Sequence, residues 1–163
     1  MRGLLMSPVS SDLGLEVLPG PYIRRLQQIA VALFVEETEG WNLTPVQYGA
    51  LLTVSRQPGV DQRTLADLMG LDTSTTAGVL DRLEARGWLR RGASPTDKRV
   101  KLLSASPEGL AVLADVEAKV LAAQARILSP LSPEEQGSFM RMLRTLVDTH
   151  TRAGGGPADG QPG

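Results

Sequence analysis

Residues 61–103 decide the fold: DQRTLADLMGLDTSTTAGVLDRLEARGWLRRGASPTDKRVKLL. The stretch opens on Asp61, whose short carboxylate can accept from the free N–H groups of a helix start. Leu65, Leu68 and Met69 follow as the inward side of a short helix, and Gly70 ends it, as glycine does where the chain turns left-handed. Leu71 enters the turn and Asp72 caps again. Val79, Leu80 and Leu83 then form the buried side of a second helix, which Gly87 stops. Trp88–Arg91 reads as a short strand and Arg99–Leu103 as another, with the polar, turn-forming Gly92–Lys98 between them. Two short helices followed by a strand, a turn and a strand make a helix-turn-helix with a β-hairpin wing.

A module of this kind has a definite physical use. Its second helix is slim enough for the major groove of DNA. The first turn of that helix here carries Thr73, Ser74, Thr75 and Thr76, small polar residues that reach phosphates or base edges, and Arg82 and Arg86 lie further along. Gln62 and Arg63, at the start of the first helix, would lie across the backbone. Lys98 and Arg99 would bring the wing to an adjacent minor groove or phosphate. The whole chain has a formal net charge of −1, but Arg86, Arg90, Arg91, Lys98, Arg99 and Lys101 face only one acid, Asp97, within residues 86–101. Local potential matters more than net charge for attracting phosphate.

Helices surround this module on both sides. Residues 1–20 show no sustained period and read as an irregular arm. From Pro21, the residues Tyr22, Ile23, Leu26, Ile29, Ala30, Leu33 and Phe34 recur at helical steps, and the pattern fades near Gly40. Thr44-Pro45-Val46-Gln47 is a capping box with proline at the first helical position. It opens a helix with Tyr48, Leu51, Leu52 and Val54 inward, ended by Pro58-Gly59. Ser106-Pro107-Glu108 opens a long helix to about Ser129, with a stripe of Leu110, Leu113, Val116, Val120, Ala123 and Ile127. Ser132-Pro133-Glu134-Glu135 is a second capping box, followed by Phe139, Leu143, Leu146 and Val147. Residues 151–163 read as a disordered tail. The expected fold is therefore mainly α with a small β-hairpin wing. A winged helix-turn-helix at 44–104 sits inside a single domain, 21–150. The helices at 21–39 and 106–150 carry more apolar surface than a monomer ordinarily exposes, which suits dimerisation.

Composition excludes several functions. The chain has no cysteine, hence no disulfide or thiolate site, and one histidine, His150, too few for a histidine-rich metal site. No signal peptide and no run of about 18 apolar residues is present, so a soluble, cytoplasmic protein with no membrane partner is expected. No phosphate loop, dinucleotide fingerprint or nucleophile–base arrangement appears, so neither an enzyme nor a cofactor is expected.

The run from Asp61 to Leu103 resembles the MarR family of winged-helix regulators. The matching pieces are Gln62–Leu68, Asp72–Thr76, Asp81–Leu89, the wing motif Asp97-Lys98-Arg99, and Leu103–Gly109 at the exit from the wing. The helix order agrees from Pro21 to His150. The resemblance implies a homodimer on double-stranded DNA, at an inverted-repeat operator. It implies a repressor released by a small aromatic carboxylate or phenolic effector. It also implies that Asp97 buttresses Arg99 and that Arg99 enters the minor groove. DNA contacts are expected at Gln62, Arg63, Thr73, Ser74, Thr75, Thr76, Arg82, Arg86, Arg91, Asp97, Lys98 and Arg99. Effector contacts are expected at Tyr22, Arg25, Gln47 and Tyr48, with the alternative that the tyrosines are core or interface residues and the arginines are solvated. Ala77-Gly78 stands where many members carry an arginine, and Gly78 fits either close packing with another helix or close approach to DNA. Two other readings stay open: a helical protein-interaction adaptor, and a constitutive DNA-binding protein with no effector.

Overall fold

In a computed structural model of the chain, which describes Gly14, residues 17–97 and residues 99–154, each helix of the winged module begins where the sequence supplies a cap. Helix α1 spans Pro19–Glu37, α2 Pro45–Arg56, α3 Gln62–Met69, α4 Thr73–Ala85, α5 Pro107–Leu128 and α6 Pro133–Gly154. Strands β1 (Val60–Asp61), β2 (Leu89–Ala93) and β3 (Lys101–Ala105) complete the described elements. The mainly helical fold with a small antiparallel sheet is the one expected. Helix α1 starts earlier than Pro21 because Pro19 already holds the helical φ at the first position. Helix α6 runs four residues past His150, and residues 155–163 of the expected tail lie outside the described residues.

The sheet differs from a plain hairpin. Its order is β1-β3-β2, all antiparallel, with Val60 opposite Leu103 and Leu89 opposite Ala105. Strand β1 has two residues, too few for a sequence period. It exists because Val60 is buried beside Leu103 and because the Gly59 N–H donates to the Leu103 carbonyl at 2.8 Å. Strand β3 begins at Lys101 rather than Arg99. Asp97 Oδ1 accepts the Arg99 N–H at 2.9 Å, and the Asp97 carbonyl accepts the Val100 N–H at 3.0 Å, which holds Arg99 and Val100 out of the strand.

The chain divides into two compact units at Gln124/Ala125. In the first, one core joins α2, α3, α4 and the sheet through Leu51, Val54, Leu65, Leu80, Leu83 and Leu103. A second cluster holds Phe34, Leu43, Val116, Val120 and Ala123, with Trp41, Tyr48 and Trp88 packed on it. One expected core residue is corrected. Leu68 is 54% exposed, because Leu65, Ala66 and Met69 set the buried face of α3 and Leu68 falls about 110° from it at 3.6 residues per turn. On α5, Gly109, Leu113, Val116 and Val120 define the inner face, and Leu110 of the apolar stripe is 49% exposed. In the second unit the Ser132 N–H donates to Glu135 at 2.8 Å, and Gln136 Nε2 donates to the carbonyls of Leu128 and Leu131. Among its described residues, no side chain of α6 is buried.

The start of α5 touches the wing directly. The Ser106 N–H donates to the Trp88 carbonyl at 3.0 Å, and the Ser106 hydroxyl donates to the Gly87 carbonyl at 2.6 Å while accepting the Gly109 N–H at 3.0 Å. A Cβ on Gly109 would lie 2.1 Å from the Trp88 carbonyl oxygen. That atom is backbone and cannot rotate aside. Gly109→Ala should therefore destabilise the chain by at least roughly 1–3 kcal/mol, the range for overpacking a fitted site. Urea titration checks this, with a lowered midpoint and an unchanged m-value as the expected result.

Candidate nucleic-acid interface

Helices α3 and α4 begin in the same way. Asp61 Oδ1 accepts the Thr64 N–H at 2.9 Å and Oδ2 accepts the Thr64 hydroxyl at 2.7 Å. Asp72 does the same for the N–H and hydroxyl of Thr75. Thr64 and its N–H hold the Asp61 carboxyl below its ordinary range, the N–H being the larger influence. For Asp72 the Thr75 hydroxyl is the larger influence, followed by its N–H. Both helix starts thus carry the protein's own carboxylate where a phosphate would otherwise be attracted. Attraction of DNA falls to side-chain cations.

Thr73, Ser74 and Thr75 are exposed on the first turn of α4, and Arg82 is exposed about two turns along. The Thr75 hydroxyl gives its proton to Asp72, so it offers a methyl group and lone pairs outward. A Cβ on Gly78 would meet nothing within 4 Å, so packing within the chain does not require glycine there. On α3, Arg63 is exposed and Gln62 is half-buried. On the wing, Asp97 and Arg99 are exposed, and Lys98 lies outside the described residues. Asp97 holds the backbone N–H of Arg99, so its support of Arg99 runs through the shape of the turn.

Three residues expected to face DNA are placed otherwise. Thr76 is only 1% exposed, and its hydroxyl donates to the Asp72 carbonyl at 2.9 Å; it lies one position past the exposed arc, on the side of Val79, Leu80 and Leu83. Arg91 reaches back from β2 to Asp81 at 2.7 Å and Glu84 at 2.6 Å, which joins the wing to α4. Arg86 donates to the carbonyls of Trp41 at 2.6 Å and Asn42 at 2.7 Å, and its guanidinium lies 3.5 Å from the Trp88 ring centroid. Two of the cations in residues 86–101, Arg86 and Arg91, therefore have partners within the chain, although Arg86 remains exposed. Sequence reading missed these partners because they are separated by 7 to 45 positions. It also passed over Arg90, exposed on β2, whose charge helps hold Glu108 low after that residue's hydrogen bonds to its own backbone N–H and to Ser106.

The four expected effector residues differ in their surroundings. Gln47 is buried, and its Oε1 accepts the Thr44 N–H at 3.2 Å, so its side chain completes the capping box. Tyr48 is half-buried, 5.9 Å from the Phe34 ring, and burial raises its phenol pKa, with Glu117 adding to the rise and Arg56 opposing it. Tyr22 is 59% exposed on α1. Arg25 lines an open cleft with Gly20, Pro21, Arg24 and Gln28. Among the described residues there is no cluster of metal-ligating side chains and no helix long and apolar enough to cross a membrane.

A capped helix pair that presents an exposed polar turn, followed by a two-stranded wing with an exposed arginine at its turn, defines a winged helix-turn-helix of the DNA-binding class. A sequence model of the MarR family matches residues 41–100. A Thauera aromatica protein assigned as the transcriptional regulator of the hcr operon is 34% identical over 165 residues, which cover 94% of this chain and 98% of that one. Three solved structures are also similar. PcaV of Streptomyces coelicolor, solved with its natural ligand, has 35% identity and a TM-score of 0.78 over 85% of this chain and 97% of its own. The repressor CouR, bound to a 23-mer DNA duplex, has 29% identity and a TM-score of 0.76 over 84% and 99%. BpsR of Bordetella bronchiseptica, whose DNA binding is regulated by 6-hydroxynicotinic acid, has 26% identity and a TM-score of 0.74 over 79% and 98%. The chain belongs to the MarR family and is a DNA-binding transcriptional regulator.

The two aspartate caps set a pH dependence. Their carboxyls are lowered in the folded chain relative to an unfolded value of about 3.9, so the stability they contribute is complete above about pH 4. It is lost as pH falls through the folded values. Asn accepts the cap N–H but does not titrate. The variant carrying Asp61→Asn and Asp72→Asn should lose less stability than the parent between pH 4 and about 2.5. Urea midpoints across that range measure the difference.

Proposed function

We propose that the chain is a homodimeric repressor that binds an inverted-repeat operator and leaves it when a small aromatic acid or phenol binds. The observation that carries DNA reading is the exposed face of α4, Thr73, Ser74, Thr75 and Arg82, on the same module as the wing turn that exposes Arg99. Thr75, with lone pairs and a methyl turned outward, suits a base amino group or a thymine methyl in the major groove. Arg99 suits the backbone or a narrow minor groove, where the potential is strongly negative. Support for a dimer comes from exposed apolar residues on helices outside the winged module: Tyr22, Ile23 and Ile29 on α1, and Met142, Leu146 and Val147 on α6. Monomers rarely leave such patches uncovered. Support for an effector comes from the two ligand-bound or ligand-regulated relatives and from Tyr48, whose phenol sits in the aromatic cluster beside Phe34.

Selection of duplexes from a random-sequence pool by the full chain should yield inverted repeats with half-sites about one helical turn apart. A single asymmetric half-site would count against the dimeric reading, as would a monomeric mass in sedimentation at micromolar concentration. On the selected duplex, Arg99→Ala should weaken binding across sequences and reduce the salt slope by about 1 per subunit. Asp97→Ala should also weaken binding although it removes a negative charge, because the turn that holds Arg99 is released. Tighter binding by Asp97→Ala would sink the wing argument. Thr75→Ala should change base preference and leave the salt slope nearly unchanged.

Aromatic acids such as 6-hydroxynicotinate and 4-hydroxybenzoate should reduce operator affinity by ~5- to 150-fold, the usual range of allosteric coupling. Thermal shift and operator titration with a panel of such compounds provide the measurement. If none of them moves either quantity, the chain binds DNA constitutively.

A further inference from the structure

We propose that Arg86 is a positioning residue that ties the last turn of α4 to the loop between α1 and α2, so that a displacement of Trp41 moves the DNA-reading helix. The inference rests on α4 being that helix, as proposed above. Arg86 is the C-cap of α4. The two outer nitrogens of its fork grip successive carbonyls, those of Trp41 and Asn42, at 2.6 and 2.7 Å. A planar guanidinium offers donors at its edge and a face for stacking, and here the face lies over Trp88. Lysine, with a point charge and no flat face, reproduces neither the paired grip nor the stack. Both tryptophans of the chain belong to this one arrangement.

The loop is held in its turn by α1 and the second core. The buried Thr38 hydroxyl donates to the Phe34 carbonyl at 2.8 Å, and the Trp41 N–H donates to the Thr38 carbonyl at 3.2 Å. Gly40 and Asn42, both at positive φ, bracket Trp41. The Trp41 side chain packs on the cluster of Phe34, Leu43, Val116 and Val120. Whatever enters or loosens that cluster moves Trp41, and the carbonyls of residues 41 and 42 move with it. Arg86 carries that displacement to α4.

Helix α4 is suited to amplify it. Its C-terminal half is held from the wing by Arg91 on Asp81 and Glu84, and from the loop by Arg86. Its exposed polar turn lies at the other end of 13 residues. A rotation of about 5° at the last turn displaces the first turn by roughly 1.5 Å at 1.5 Å rise per residue. A shift of that size breaks a hydrogen bond to a base edge. Because the fork is engaged on carbonyls, Arg86 differs from a phosphate contact in a measurable way: its loss should cost affinity without changing the salt dependence.

The test is a double-mutant cycle in the full chain on the duplex that the parent selects best, with Arg86→Met, Trp41→Ala and both together. Melting and far-ultraviolet circular dichroism report folding, and Arg86→Lys replaces Arg86→Met if the latter is unfolded. Each single variant is expected to bind about tenfold more weakly with an unchanged salt slope. Trp41→Ala should cost less than twofold once Arg86 is gone, the non-additivity expected of coupled residues. Hydrogen exchange on the free proteins gives the second arm. Trp41→Ala should speed exchange of the amides of residues 82–86 in the parent background and add nothing in the Arg86→Met background. A salt slope reduced by about 1 per subunit would make Arg86 a phosphate contact and overturn the proposal, as would fully additive losses. If the parent selects no duplex, DNA reading by α4 fails. The exchange arm then decides the link alone: transmission from Trp41 through Arg86 supports it, and indifference of residues 82–86 overturns it.

Discussion

The Trp88 carbonyl is the point on which the winged module turns. It accepts the Ser106 N–H, and the Gly109 Cα lies so close that no side chain fits between. The Trp88 N–H meanwhile donates to the Leu83 carbonyl at 3.0 Å, and Gly87 adopts the left-handed φ that lets the chain leave α4. One residue therefore joins the end of α4, the start of the wing and the start of α5. The direction of β2 follows from this junction. So does the register that sets Leu89 opposite Ala105, and with it the place where the wing turn emerges relative to α4. The Trp88 ring carries the Arg86 guanidinium beside the same junction, so the contact from the α1–α2 loop arrives there.

In a chain of net charge −1, the charges of the winged module are sorted by their partners. Several acids have local partners: Asp61 and Asp72 cap helices, and Asp81 and Glu84 are paired with Arg91. Cations divide into two groups. Arg86 and Arg91 have partners within the module, while Arg63, Arg82 and Arg99 stand exposed on α3, α4 and the wing. Arg86, bonded to neutral carbonyls, is exposed and keeps its charge at the surface, whereas the charge of Arg91 is offset by Asp81 and Glu84. A count of cations in the sequence does not separate these cases.

The effector region shows the same division between local and distant causes. Gln47 was readable as the partner of Thr44 in a capping box, and that is the bond it makes. Its suitability for a ligand is correspondingly small, because a side chain that closes a cap at the helix start is already satisfied. Tyr48 occupies a different position, one turn along α2 against Phe34, in the cluster that also seats Trp41 and Trp88. Four of the six aromatic residues, Phe34, Trp41, Tyr48 and Trp88, are gathered there, and the loop that Arg86 grips borders them.

By itself the sequence determined the helix starts, the turn glycines and the order of elements, because these depend on groups within four positions of one another. Thr44 with Gln47, Asp61 with Thr64, and Asp72 with Thr75 each bond three residues apart, so the pattern and the hydrogen bond coincide. The exposed threonines of α4 and the wing arginine were legible on the same basis. Tertiary structure alone decided what distance hides. It made a strand of Val60–Asp61 by placing Val60 against Leu103. It turned Thr76 inward and Leu68 outward by choosing which arc of each helix meets the core. It brought Arg86 to carbonyls and Arg91 to carboxylates that no local period connects. A long cation has the same appearance in a sequence whether it ends on solvent or on a partner 45 residues away. Only the packing of α4 between the wing and the α1–α2 loop separates the two.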